Sequence, residues 1–189
     1  MRDNFKISKI KLYYFNFKTE IGEIYYIWCE YKPDFTTDET SDGNNFFINF
    51  IGLGENSFKK YLDKAVKNFF KSETFIIKNK NKFIENEIAG FLEGKSKKIN
   101  LTPCFLTGGD FEKLIWSKTA AIPFGKTISY KELAALAGKP FAFRAAGNAL
   151  GKNPLLLLVP CHRVIKSNGE TGNFGCGVKV KKFLLDLES

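Results

Sequence analysis

The chain carries one histidine, and it stands between a cysteine and an arginine in the run LLLLVPCHRVI, as Cys161, His162 and Arg163. A cysteine is a nucleophile only as its thiolate, and its ordinary pKa of ~8.5 has to be lowered by a base or a nearby cation. His162 offers the base and Arg163 the cation. Neighbours on an extended segment point to opposite sides, so a direct contact between Cys161 and His162 is not assured, and a bridging water is the alternative. A base also needs a group that orients it. The C-terminal stretch VKVKKFLLDLES is amphipathic, with Val180, Phe183, Leu184 and Leu187 turned inward, and Glu188 falls one turn beyond Leu184. Glu188 is a candidate partner for His162, although the same position also reads as an acid at a frayed helix end. Without context, a Cys-His pair is what a buried structural cysteine beside a core histidine looks like.

Positioning such a pair calls for a rigid frame. The apolar run 155–159 reads as a buried strand that ends in the turn bearing Cys161. Upstream, SYKELAALAG contains an S-x-x-E capping box (Ser129, Glu132), an apolar stripe of Leu133, Leu136 and Ala137, and a stop at Gly138. After GKP a second helix is expected from Pro140 through FAFRAAGNAL to Gly151. Two short helices joined by a brief Gly-containing turn suggest a helix-turn-helix, with an ordinary helical hairpin as the bland alternative. Ala142, Ala145, Ala146, Gly147 and Ala149 leave the second helix little bulk, so its surface can approach another backbone closely. Arg144 projects from it. An earlier helix, capped by Asp110, places Phe111, Leu114 and Ile115 on one face and ends before Pro123.

The first hundred residues read as sheet. Two aromatic, β-branched runs in KLYYFNFKTEIGEIYYIWCEY flank a turn at Lys18–Glu23, and FFINFIGLG is a third strand candidate. The stretch 32–45 reads as a loop. Helical spacing returns over 57–71, with Phe58, Leu62, Ala65, Val66, Phe69 and Phe70 on one face, and a short helix is expected near 84–93. GKSKKINLTP looks like a linker. The expected fold is therefore α+β: an N-terminal β-sheet domain with one or two helices over 1–102, and a mostly helical domain with a helix-turn-helix over 103–189.

Twenty-nine basic against 20 acidic residues leave a net charge of +9, which favours a polyanionic partner such as nucleic acid or an anionic membrane surface. Between 118 and 166 there are eight basic residues and one acid, Glu132, so the charge surrounds Cys161. Of only three arginines, two (Arg144 and Arg163) lie there, and a guanidinium stacks on bases and pairs with phosphate in ways an ammonium does not. The four cysteines form no CxxC pair, and with one histidine no metal-ligand spacing exists, so reduced thiols and no metal are expected. No apolar run approaches the ~20 residues of a membrane helix, and a location in the cytoplasm, or the nucleus in a eukaryote, is expected.

The ordered set SYKELAALAG, FRAAGNALGKNP, LLLLVPCHRVI and SNGETGNFGCG resembles the O6-alkylguanine-DNA alkyltransferases, the methylated-DNA–protein-cysteine methyltransferases, closely from about Phe111 to Glu188 and more loosely before. The resemblance implies DNA repair by irreversible single-turnover transfer of an alkyl group from O6-alkylguanine, and from O4-alkylthymine, to the protein's own cysteine, with no cofactor. It assigns Cys161 as acceptor, His162 as water-linked base and Glu188 as its orienting acid. Asn153 becomes the asparagine holding the helix-turn-helix to the active-site loop, and Tyr130 the tyrosine that donates to the base and crowds the 3′ phosphate. Arg144 becomes the finger that fills the gap left by a flipped nucleotide, beside the small residues Ala145, Ala146 and Gly147 in the minor groove. Val164 lies where a backbone carbonyl reads the guanine amino group, and Phe174, Gly175 and Cys176 line the alkyl pocket. Phe174 replaces the family's usual tyrosine, and Cys176 brings a second thiol. The implied partner is double-stranded DNA carrying the lesion, bound by a monomer. A catalytically silent lesion-binding protein would lack the cysteine. An alkylation-sensing helix-turn-helix regulator would need an effector domain, and residues 1–100 show no recognisable one.

Overall fold

The structure, a computed structural model, describes residues 10–30, 46–69 and 74–189. β1 (Ile10–Thr19) and β2 (Gly22–Cys29) form the expected hairpin, with Thr19 opposite Gly22. Gly22 takes φ +123°, a region that residues with a Cβ rarely enter. β3 (Phe47–Leu53) pairs antiparallel with β2, and β4 (Thr74–Lys78) pairs parallel with β1, giving the order β3-β2-β1-β4. β4 was not foreseen from sequence. It is a five-residue edge strand with Phe75, Ile76 and Ile77 all partly exposed, so it shows no alternating pattern. The loop expected over 32–45 and the helical position Phe70 lie outside the described residues.

Period-two alternation sends Ile24, Tyr26 and Trp28 to one face of the sheet, and Ile27 and Cys29 to the other. Against β2, strand β3 skips Asn49: Ile27 faces Phe50 while Trp28 faces Ile48. That bulge lets Phe47 and Phe50, three residues apart, share a face. α1 (Glu55–Phe69) covers this face with Phe58, Tyr61 and Ala65. α2 (Lys82–Leu92), capped by the Asn81 side chain, buries Ile84, Ile88, Phe91 and Leu92 against the opposite face.

The face under α2 continues into the C-terminal half, where Ile115, Trp116, Leu133, Ala146, Leu155, Val164 and Leu184 belong to the same core. Backbone bonds cross as well. The open edge of β3 is closed by two segments: Ile48 N donates to Thr102 O (2.9 Å) and Ile48 O accepts from Cys104 N (2.8 Å), while Ile51 N donates to Pro154 O (2.9 Å) and Ile51 O accepts from Leu156 N (2.9 Å). An edge strand that would otherwise expose unpaired groups thus anchors the segment leading to Cys161.

α3 (Asp110–Ala120) buries Ile115, Trp116 and Thr119, and Leu114, expected inward, is 37% exposed. Gly109 rather than Asp110 takes its cap position, its N–H donating to Glu112 Oε2 at 3.0 Å. α4 (Tyr130–Leu136) starts at the Ser129–Glu132 capping box, as its sequence predicts. Its buried stripe is Leu133, Ala134 and Ala137, with Leu136 turned outward. α5 (Phe143–Gly151) begins three residues after Pro140, because Ala142 N closes a turn onto Lys139 O (2.8 Å) before the helix can start. A short parallel pair, β5 (Ile128–Ser129) and β6 (Val164–Ile165), ties α4 to the segment after the cysteine, and α6 (Val178–Leu187) ends the chain. Among the described residues no helix is long and apolar enough to cross a membrane.

Candidate active site

The run 155–159 is not a strand. Leu155 bridges to Ile51, and then the chain folds back so that Val159 N donates to Leu155 O at 2.8 Å. Leu157 sits at the turn with φ +73°, and no other non-glycine among the described residues has a positive φ. A leucine holds that conformation only when its surroundings over-determine it, and burial of all five side chains in or against the core does so. The periodicity of five apolar residues could not separate a buried turn from a buried strand. Pro160 follows, and Cys161–Arg163 form one turn of 3₁₀ helix.

Asn153, at the end of α5, fixes this turn from inside. Its Nδ2 donates to Val159 O at 2.9 Å and to Cys161 Sγ at 3.2 Å, while its Oδ1 accepts from Leu155 N at 2.9 Å. One side chain therefore ties the second helix of the helix-turn-helix to the loop and to the sulfur. Burial raises the Cys161 thiol, against which the Asn153 amide, the Lys181 ammonium and the backbone N–H groups of Cys161 and His162 pull downward. The resting group is a thiol, with a thiolate-stabilising set already in place around it.

His162 is fully buried, and its Nε2 lies 2.8 Å from Glu188 Oε1. Glu188 is neither frayed nor free. Arg163 grips it with two parallel bonds (Nε to Oε2 2.9 Å, Nη2 to Oε1 2.8 Å), and Gly125 N donates to Oε2 at 3.0 Å. Burial by itself would raise the Glu188 carboxyl, but the bonds from His162, Arg163 and Gly125 hold it at about 2. Burial lowers His162 and outweighs the pull of Glu188, whose charge Arg163 already compensates. The imidazole is then neutral, with Nε2–H donating to the carboxylate and Nδ1 left as acceptor. His162 Nδ1 is buried without a hydrogen-bond partner. Arg163 also donates to Ile122 O at 2.5 Å, so the cation expected to act on the thiol acts on Glu188 instead.

The cation that acts on Cys161 is Lys181, which sequence spacing passed over. It is fully buried on α6, its Nζ donates to Val164 O at 2.6 Å, and it stands 5.8 Å and 5.7 Å from the ring centres of Tyr130 and Phe174. Desolvation lowers its pKa to about 8. The signal was available: Lys181, Leu184 and Glu188 follow i, i+3, i+7, so a lysine lies on the apolar stripe.

Above the sulfur opens a cleft of about 550 Å³ whose walls include Tyr130, Arg144, Gly147, Phe174 and Gly175, with Cys161 on its lining. Tyr130 is half-buried, its ring 3.6 Å from where a Cβ on Gly147 would stand, and burial together with Cys161 raises its hydroxyl. Ala146 is fully buried, so the outward small-residue surface of α5 consists of Ala145, Gly147 and Gly151. Cys176 and Val164, expected in the pocket, are not on the lining of this cleft; Cys176 is half-buried, and burial takes its thiol up to about 11. No group of three or more His, Cys, Asp or Glu among the described residues could hold a metal ion.

The model of the 6-O-methylguanine DNA methyltransferase DNA-binding domain matches residues 110–189, the stretch that contains every group just described. A methylated-DNA–protein-cysteine methyltransferase of Methanosarcina barkeri is 41% identical over 116 residues, spanning 59% of this chain and 72% of that protein. The chain belongs to the methylated-DNA–protein-cysteine methyltransferase family. The inducible family member of Bacillus subtilis is 44% identical over 102 residues, or 54% of this chain and 56% of that one. The fold is shared over nearly the whole length. The crystal structure of Mycobacterium tuberculosis OGT in complex with DNA aligns with a TM-score of 0.69 at 24% identity, covering 93% of this chain and 92% of that one. The O6-methylguanine-DNA methyltransferase of Pyrococcus kodakaraensis aligns at 0.62 and 19%, covering 94% and 99%. The family model thus covers residues 110–189, while the solved structures share the fold over nearly the whole chain.

Proposed function

We propose that the protein repairs DNA by moving the alkyl group of O6-alkylguanine, methyl foremost, to Sγ of Cys161 in one irreversible turnover. The observation that carries this reading is the sulfur held by the Asn153 amide on the lining of an open cleft, beside a neutral histidine whose far nitrogen is fixed on Glu188. The Cys161 proton passes to His162 Nδ1, through a water where the two do not meet, and the imidazolium that forms is stabilised by Glu188. The thiolate attacks the alkyl carbon in line. The S–C bond forms as the C–O6 bond breaks, and the electron pair enters the guanine ring. Tyr130, its hydroxyl kept protonated by burial, donates to the base as that charge develops.

Several finer features belong to the same proposal. O6 is inaccessible inside a stacked duplex, so the nucleotide rotates into the cleft from the minor groove and Arg144 occupies the space it leaves. Phe174, Gly175 and Cys176 bound the alkyl group, and Val164 O reads the guanine amino group with the lone pair that Lys181 does not use. O4-alkylthymine, having the same reactive array, is a second substrate. The protein acts as a monomer, residues 103–189 carry DNA and acceptor, and residues 1–102 brace the active-site loop through β3.

The test is intact-mass analysis after mixing with duplex DNA containing O6-methylguanine. One methyl per chain is expected, mapped to the Cys161 peptide and absent in Cys161→Ala. A label on Cys176, or full transfer by Cys161→Ala, would overturn the assignment.

A further inference from the structure

Phe141 is 93% exposed, the most exposed large apolar side chain among the described residues. Single apolar residues at a surface need no explanation, but this one has company. Leu136 is 58% exposed and Phe143 42%, so three such residues fall within eight positions across the turn of the helix-turn-helix. The turn is stiff. Pro140 fixes φ next to Phe141, and the Ala142 N to Lys139 O bond closes the turn around both. Phe143 lines the cleft, and the Arg144 guanidinium lies 5.9 Å from its ring centre. On the same helices and their turn Lys131, Lys139 and Arg144 are exposed, a surface complementary to phosphate and unsuited to an apolar protein partner or a second copy with the same charge.

We propose that Phe141 is an apolar wedge that packs on the base pair flanking the lesion, while Phe143 holds Arg144 aimed into the gap. This rests on the reading of the partner as duplex DNA. An aromatic ring on a rigid turn loses little conformational freedom when it meets a base, and stacking tolerates any base because each has a π-face. Apolar wedges that partly unstack a base step are a general device of minor-groove binders. Phe141 carries no charge, so its contribution is separable from that of the lysines. Salt reports the phosphates, and stacking is indifferent to it.

The experiment uses the full chain with Phe141→Ala, Phe141→Trp and Phe141→Lys. Anisotropy of a labelled undamaged duplex across a salt series gives affinity and salt slope, and a duplex with 2-aminopurine beside the lesion reports unstacking. Phe141→Ala is expected to weaken duplex binding about tenfold, with an unchanged salt slope, a smaller 2-aminopurine signal and an unchanged melting temperature. Phe141→Trp should keep the signal. Phe141→Lys should steepen the salt slope without restoring it. Wild-type affinity and signal in Phe141→Ala would overturn the proposal, and so would a change confined to self-association in sedimentation. If wild-type protein bound duplex in this way yet placed no methyl on Cys161, the assigned reaction would fail while the wedge stood.

Discussion

Lys181 Nζ donates to Val164 O at 2.6 Å with the whole lysine side chain buried, and the same ammonium pulls the Cys161 thiol downward. One cation therefore braces the strand after the cysteine and sets the charge the thiolate meets. Its own pKa, lowered by desolvation to about 8, means that the ammonium is present below that pH and lost above it. In Lys181→Met the thiol should titrate higher, and iodoacetamide labelling of Cys161 at neutral pH should slow about tenfold, equivalent to one pKa unit. The pH profile of labelling checks this. An unmoved profile would reduce Lys181 to a brace for Val164.

Glu188 gives the protein an acid limb. Its folded carboxyl, at about 2, lies below the ordinary 4.5, so the folded state binds fewer protons than the unfolded in between. Its stabilisation is complete above pH 4.5 and disappears as pH falls toward 2. Chemical denaturation at a series of pH values should show that loss, and Glu188→Gln should flatten it. At neutral pH the same substitution leaves Arg163 buried without its carboxylate, a change that typically destabilises by about 3–5 kcal/mol. Identical acid limbs in the two proteins would contradict the assignment.

Asn153 serves three partners at once, so Asn153→Ala orphans the Leu155 N–H, leaves the Val159 carbonyl to the Cys161 N–H alone, and frees the sulfur. A loss of about 1–3 kcal/mol in stability is expected from one buried unmet group. Cys161 labelling should also fall more than the stability loss explains. Asn153→Asp separates the two effects: it keeps an acceptor for Leu155 N but sets a carboxylate against the sulfur, so it should label more slowly than Asn153→Ala. Equal labelling rates would remove Asn153 from the thiol's electrostatics.

Much of this site was legible because its chemistry is local. The PCHRV run, the Ser129–Glu132 cap and the amphipathic C-terminal helix each state their role within a few residues. What escaped was set by contacts between distant segments. Arg163 sits beside Cys161 in the chain, yet its fork matches a carboxylate 25 residues away, so it left the thiol to Lys181. Leu155–Val159 carries the composition of a strand, but β3 pairs with only its first residues before Leu157 turns. β4 has no buried face to impose a pattern, and only its pairing with β1 defines it. Pro140 delayed α5 because the turn before it was already hydrogen-bonded.

Binding to undamaged duplex should fall steeply with salt. Arg163 is buried on Glu188 and leaves the count of phosphate contacts, and Lys152 and Lys166 are exposed but paired with Glu112 and Glu170, whereas Lys131, Lys139 and Arg144 remain exposed. Each contact adds about 0.9 to the slope of log affinity against log salt. Substituting Lys131 and Lys139 together by Ala should lower the slope by roughly two such increments across unrelated sequences, measured by filter binding. An unchanged slope would move the DNA to another face.

Arg144 separates extrusion of the nucleotide from transfer of the alkyl group. It is exposed at the wall of the Cys161 cleft, against the Phe143 ring. If it fills the space left by the nucleotide, Arg144→Ala should slow repair of O6-methylguanine in duplex DNA by about one to two orders of magnitude, because unstacking costs a few kcal/mol and the vacated space is then unfilled. The free nucleobase O6-benzylguanine meets the same thiolate without that cost, so its reaction should change far less. Arg144→Lys should recover duplex repair only in part, since an ammonium brings charge without a plane that can stack between bases. Single-turnover rates on the two substrates decide the matter. Equal slowing on both would mean that Arg144 supports the cleft or the thiol, and unchanged rates on both would return it to an ordinary solvated side chain.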